Sequence, residues 1–127
     1  VRGVLVLAAG SRDDADEDVS CLAGRIRDAR FCEGEDGKPM DLSVIDVGGQ
    51  ILVVSQFTLF GDMRKGRRPS FDAAGSPELA RAHYEALVRE LRAAGLTVST
   101  GEFRAMMQVE LVNDGPVTIL VDSRRQF

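Results

Sequence analysis

Three short segments hold the residues that could do chemistry. Ser55-Gln56-Phe57-Thr58-Leu59 follows directly on an apolar run. A Ser-Gln-x-Thr cluster at the end of a buried strand is unusual, because buried polar groups need partners. It suits a strand end whose Ser and Thr bond local backbone, and it suits a pocket for a polar ligand equally well. Asn113-Asp114-Gly115-Pro116-Val117-Thr118 is the second segment. A Gly-Pro step between strands is by default a turn, yet about 5–6% of X–Pro bonds in folded proteins are cis. A cis step aims two successive carbonyls in nearly one direction. Such an acceptor pair could grip an ammonium or exclude a side chain. The third segment holds Arg64, Lys65, Arg67 and Arg68, with no acid among them. A basic cluster on an acidic chain suggests an anionic partner at one place, although charge alone favours a solvated loop.

Conventional catalytic sets are missing. Nucleophilic hydrolases usually need a base beside the nucleophile. His83 is the one histidine, and it lies in a helical stretch between Ala82 and Tyr84. That position reads as an exposed or half-exposed helix residue. No serine sits in a glycine elbow, and no HExxH, Walker lysine loop, strand-following GxGxxG or cysteine-rich cluster occurs. Neither a metal nor a cofactor is expected. An enzyme made from this chain would draw its catalysis from backbone groups or from the substrate itself.

The elements that must position these segments follow from periodicity. Short apolar or alternating runs predict seven strands, at 4–7, 31–33, 42–44, 51–55, 97–100, 106–113 and 117–121. Residues 13–30 read as a helix, with Val19, Leu22, Ala23 and Ile26 on one face and acids in the first turns. Ser76-Pro77-Glu78 starts a second helix, with Ser as N-cap and Pro as first helical residue. Its inward stripe is Ala80, Tyr84, Leu87, Val88 and Leu91, and Gly95 ends it. Residues 61–75 are a long loop carrying the basic cluster, which tilts them towards function. Residues 122–127 read as a frayed tail. The expected fold is α+β: a curled, barrel-like, mostly antiparallel or mixed sheet with two helices packed on it.

At 127 residues the chain is expected to be one domain, 1–127, with 44% apolar and 28% charged residues, ordinary for a soluble protein. A net charge of −4 argues against a general nucleic-acid binder and against DNA as partner. No run approaches the roughly 20 apolar residues of a membrane span, and 4–9 lack signal-peptide flanks. Cys21 and Cys32 are too far apart for a CxxC pair and read as reduced thiols. A cytoplasmic location is expected.

Together, Ser55-Gln56-Phe57-Thr58-Leu59 and Asn113-Asp114-Gly115-Pro116-Val117-Thr118 resemble the two signature motifs of the D-aminoacyl-tRNA deacylase (D-tyrosyl-tRNA deacylase) family. Asp46-Val47-Gly48-Gly49, Arg67-Arg68-Pro69-Ser70-Phe71 and Met107-Gln108-Val109 look like family features as well. The resemblance implies hydrolysis of the ester of D-aminoacyl-tRNA, and of mischarged glycyl-tRNA, by a homodimer that needs no cofactor. It implies that Gly115 and Pro116 of one subunit enter the other's site as a cis step whose carbonyls reject an L side chain. Ser55, Gln56, Phe57 and Thr58 would line the catalytic pocket, with backbone N–H groups near Phe57 and Thr58 holding the oxyanion. Met107 would pack at the pocket wall. Arg64, Lys65, Arg67 and Arg68 would meet tRNA phosphates. With no base in view for Thr58, the resemblance favours help from the ribose 2′-hydroxyl. The sequence departs from the family in opening almost on its first strand, without the usual N-terminal hairpin. That departure motivates an alternative, an N-terminally shortened and catalytically impaired module that binds a tRNA end or an amino acid.

Overall fold

Val4, Val6 and Ala8 alternate with Leu5 and Leu7 along β1 (Gly3–Ala8), so the strand carries apolar side chains on both faces. A strand apolar on both faces needs cover on both, as in parallel sheets. The computed structural model, which describes residues 2–127, has a parallel sheet, although Leu7 on its second face stays exposed. β1 pairs in parallel with β2 (Gln50–Ser55), from Gly3 opposite Gln50 to Ala8 opposite Ser55. β2 pairs in parallel with β3 (Val98–Thr100), giving the order β1-β2-β3.

Parallel neighbours require crossovers, and a helix lies in each. The first is α1 (Asp16–Asp28) and the second α2 (Pro77–Ala93). Ser76 caps α2 by accepting the Leu79 N–H at 3.3 Å, Pro77 follows it, and Gly95 takes φ +93 just past its end. The two helices pack together on one face of the sheet. Val19 and Ala23 of α1 and Leu87, Val88 and Leu91 of α2 meet Ile51, Val53 and Val98 there. Val44, Val53 and Leu91 are wholly inaccessible to water.

The barrel-like antiparallel or mixed sheet is not what forms: among the described residues the sheet has three strands, all parallel, and is open. Residues 31–33 and 42–44 make only one isolated bridge, Cys32 with Leu42. Ser43 and Asp46 end it by exchanging side-chain bonds with each other's N–H groups, a turn that competes with a ladder. Residues 106–113 and 117–121 keep their alternating pattern but have no neighbouring strand among the described residues, and a ladder needs a partner for its N–H and C=O groups. Their side chains stand exposed, Met106 and Val112 almost completely. α1 starts later than periodicity suggests because Ser11 and Asp14 use their side chains on nearby N–H groups. The tail is not frayed either, since Arg124 pairs with Asp18 at 2.9 Å.

Leu91→Ala removes a side chain from the wholly buried centre. It is expected to lower stability by about 2–5 kcal/mol, the range for such a cavity, in a denaturant unfolding experiment.

Candidate active site

Parallel pairing places Ala8 and Ser55, the last residues of β1 and β2, side by side. In open parallel sheets, ligands bind in the crevice outside these strand ends. A cavity of about 290 Å³ opens there. Ala8, Ala9 and Ser55 lie at its sheet end, Val19 and Leu22 of α1 form one wall, and Ala80, His83, Tyr84 and Leu87 of α2 form another. Phe57, Phe103 and Arg104 complete it. Gly75 donates to the Gly10 carbonyl at 2.8 Å and Arg12 to that of Ala73 at 3.1 Å, stitching together the loops that precede the two helices.

Aromatic rings give the cavity its shape. Tyr84 lies 5.9 Å from Phe103 and donates its hydroxyl to the Val53 carbonyl at 2.8 Å. Burial pushes the Tyr84 phenol above its ordinary value. Phe57 is exposed but leans edge-on against Phe71 at 5.0 Å.

The Ser-Gln-Phe-Thr segment turns sharply off the sheet. Gln56 still donates to the Ala8 carbonyl at 2.8 Å, and Phe57–Phe60 then form one 3₁₀ turn. The Gln56 side-chain amide donates to the Thr58 hydroxyl. The amides of Phe57 and Thr58 make no hydrogen bond among the described residues, as the first N–H groups of a helical turn commonly do not. They remain available to an oxygen from outside.

Ser55 and Phe57 thus line the cavity, and Gln56 and Thr58 adjoin it. The other expected site residues lie elsewhere in this chain. Met107 sits against Gly101, where a Cβ would come within 2.8 Å of its sulfur. The Gly115–Pro116 peptide is cis, and its loop is closed by Asn113, which accepts the Val117 N–H at 3.0 Å and donates to Thr118 at 3.2 Å. Neither Gly115 nor Pro116 lines the cavity. Asp62 and Ser70 exchange backbone bonds at 2.8 and 2.9 Å, closing an exposed loop with Arg64, Lys65, Arg67 and Arg68 on it. Arg64 folds back on Asp62 at 2.6 Å, so its charge is partly spent inside the protein.

Sequence reasoning set His83 aside as an exposed or half-exposed residue. Its side chain is only 13% exposed, it lines the cavity, and its Nδ1 is buried without a partner among the described residues. Its spacing was the available signal, since position 83 falls three residues after Ala80 and four before Leu87 on the inward stripe. Asp14 and Asp18, before and within the first turn of α1, line the cavity too. The Arg124 guanidinium, with the Ala15 N–H behind it, holds the Asp18 carboxyl well below the usual carboxylate range.

Comparison with known proteins adds the family. The family model described as D-Tyr-tRNA(Tyr) deacylase matches residues 1–122. The chain is 58% identical over 126 residues to a D-aminoacyl-tRNA deacylase of Koribacter versatilis (strain Ellin345), covering 99% of this chain and 84% of the relative. It is 59% identical, with the same coverage, to the D-aminoacyl-tRNA deacylase of Anaeromyxobacter dehalogenans (strain 2CP-C). Among solved structures, one titled c-Myc DNA Unwinding Element Binding Protein superposes with a TM-score of 0.87 at 39% identity, covering 93% of this chain and 80% of that one. A probable eukaryotic D-amino acid tRNA deacylase shares the fold at a TM-score of 0.53 and 24% identity, over 71% of this chain and 52% of its own.

Asp62 is pulled down to about 2 from 3.8, first by the Arg64 side chain. A depressed carboxylate stabilises the fold above its unfolded value and loses that contribution as pH falls through the folded one. The loop contact is therefore expected to persist at pH 4 and to open as pH approaches 2. Arg64→Ala should return Asp62 towards 3.8 in a carboxyl NMR titration.

Proposed function

The chain belongs to the D-Tyr-tRNA(Tyr) deacylase family, and from that premise we propose that it is an ester hydrolase acting on D-aminoacyl-tRNA. The released products are the free D-amino acid and the tRNA. The observation that carries the site is the cavity at the ends of β1 and β2, with Ser55 and Phe57 in its wall and two unpaired backbone N–H groups beside it.

Water adds to the ester carbonyl carbon, and the carbonyl oxygen gains negative charge. The Phe57 and Thr58 amides are the donors for that oxyanion, and donors fixed before the reaction stabilise it without reorganising. Collapse expels the 3′-oxygen of the terminal adenosine, which takes a proton from the neighbouring 2′-hydroxyl, and the 2′-oxygen in turn takes the proton that the attacking water gives up. Thr58 positions rather than attacks. Its hydroxyl accepts from the Gln56 amide, so the group facing it is a donor that cannot take its proton.

Discrimination between mirror-image substrates falls to Gly115 and Pro116 of a second subunit, since this chain's own loop does not reach its own cavity. Their carbonyls meet the α-ammonium of a D-amino acid and leave no room for an L side chain; glycine has none to exclude. Met107, outside this chain's own cavity lining, packs on Gly101 just past β3. A homodimer would also cover the apolar side chains of Leu111, Ile119 and Leu120, each more than half exposed. Lys65, Arg67 and Arg68 meet tRNA phosphates more freely than Arg64, which Asp62 already engages. No helix of the described residues is long and apolar enough to cross a membrane; a cytoplasmic location is part of the proposal, since a tRNA substrate is met there.

The test is release of tyrosine from D-Tyr-tRNA and from L-Tyr-tRNA. Fast release from the first and sparing of the second are expected; a folded dimer that binds the RNA end without turnover would favour the impaired binding module. Thr58→Ala should cost under about tenfold in kcat, the scale of one modest hydrogen bond. Gly115→Ala should cost about 10²-fold, the scale of a displaced positioning group. At φ +152 its new methyl would lie 3.0 Å from the Val117 side chain.

A further inference from the structure

Between residues 106 and 121 no hydrogen bond joins the chain to another segment among the described residues. This stretch nevertheless carries Gly115 and Pro116, the pair assigned above to discrimination. It behaves as a strap with two anchors. Met107 against Gly101 is the near one. Arg124 is the far one, and the Gly-Pro step lies midway, eight residues from each.

The far anchor is built with unusual care. The Arg124 Nε and Nη2 donate to the two carboxylate oxygens of Asp18 at 2.9 and 3.0 Å, and Nη2 also donates to the Asp13 carbonyl at 2.7 Å. Asp122 aims the arginine by accepting the Arg124 N–H at 2.9 Å, and its carbonyl accepts the Arg125 N–H at 3.1 Å. The receiving carboxylate is only 12% exposed, lines the cavity, and also accepts the Ala15 N–H at 2.8 Å at the start of α1. A planar fork on a carboxylate fixes direction as well as distance, which a lysine cannot do. Half-exposed ion pairs add little stability, so the value of this one lies in its geometry.

We propose that Arg124 is a positioning residue for substrate discrimination: its fork on Asp18 fixes the far end of the strap and so sets where Gly115 and Pro116 arrive in a partner's cavity. This rests on the function proposed above. It also links the two sites of a dimer, because the strap offered to one cavity is moored at the rim of the other.

The experiment measures kcat, KM and the D:L ratio on D-Tyr-tRNA and L-Tyr-tRNA for the full chain and for Arg124→Ala, Arg124→Lys, Asp18→Asn and the double variant Asp18→Asn/Arg124→Ala. Asp18→Asn keeps an oxygen for the Ala15 N–H and removes the charge. Dimer content is checked alongside. A roughly tenfold fall in kcat and in the D:L ratio is expected for Arg124→Ala with KM little changed, the scale of one charge-assisted contact. Arg124→Lys should fall between, and the double variant should be no worse than either single one. Should Arg124→Ala fail to dimerise, Arg124→Lys and Asp18→Asn carry the measurement. Unchanged kcat and D:L ratio in a folded, dimeric variant would overturn the role of Arg124 alone, as would losses that simply add. A wild type that leaves D-Tyr-tRNA intact would overturn the functional reading and this role with it.

Discussion

The in-register parallel pairing of β1 with β2 is the constraint on which the other features depend. It brings Ala8 and Ser55 to the same edge, lets Gln56 add one more bond to Ala8, and forces a crossover that becomes α1. The same geometry, repeated from β2 to β3, forces α2. Both helices must bury an apolar stripe, and they do so against the face formed by Ile51, Val53 and Val98. The cavity is the space left where the helices start or pass and the strands stop. Its location therefore follows from strand direction, before any particular side chain is considered.

A cavity made this way is well suited to work by the main chain. The segment leaving β2 turns so tightly that its first amides have no internal acceptor. The neighbouring side chains are occupied: Gln56 with Thr58, Tyr84 with Val53. The wall contains aromatic rings, methyl groups, the His83 imidazole, the Arg104 guanidinium and two carboxylates. Such a site suits the proposed role, orienting an already reactive ester, better than the activation of an inert substrate.

What the sequence disclosed was what local physics decides. Branched runs marked β1 and β2; Ser76, Pro77 and Gly95 marked the limits of α2 through capping and a left-handed turn. The polar step at Ser55 and Gln56, which interrupts an apolar strand, marked the strand end where the cavity opens. Pairing was less legible, for it depends on which segments meet. The alternation at 106–113 is genuine, yet alternation does not supply a neighbour. His83 was misjudged because a lone polar residue on a helix looks solvated until the opposite wall is known. Arg124 and Asp18 were beyond reach for a similar reason, being 106 positions apart.

Asp18 illustrates how densely a small protein can use one group. Its two oxygens close the first turn of α1, form part of the cavity wall and receive the guanidinium of a distant arginine. Drift at this position is consequently pleiotropic: a replacement that spared one of the three duties would still compromise the others.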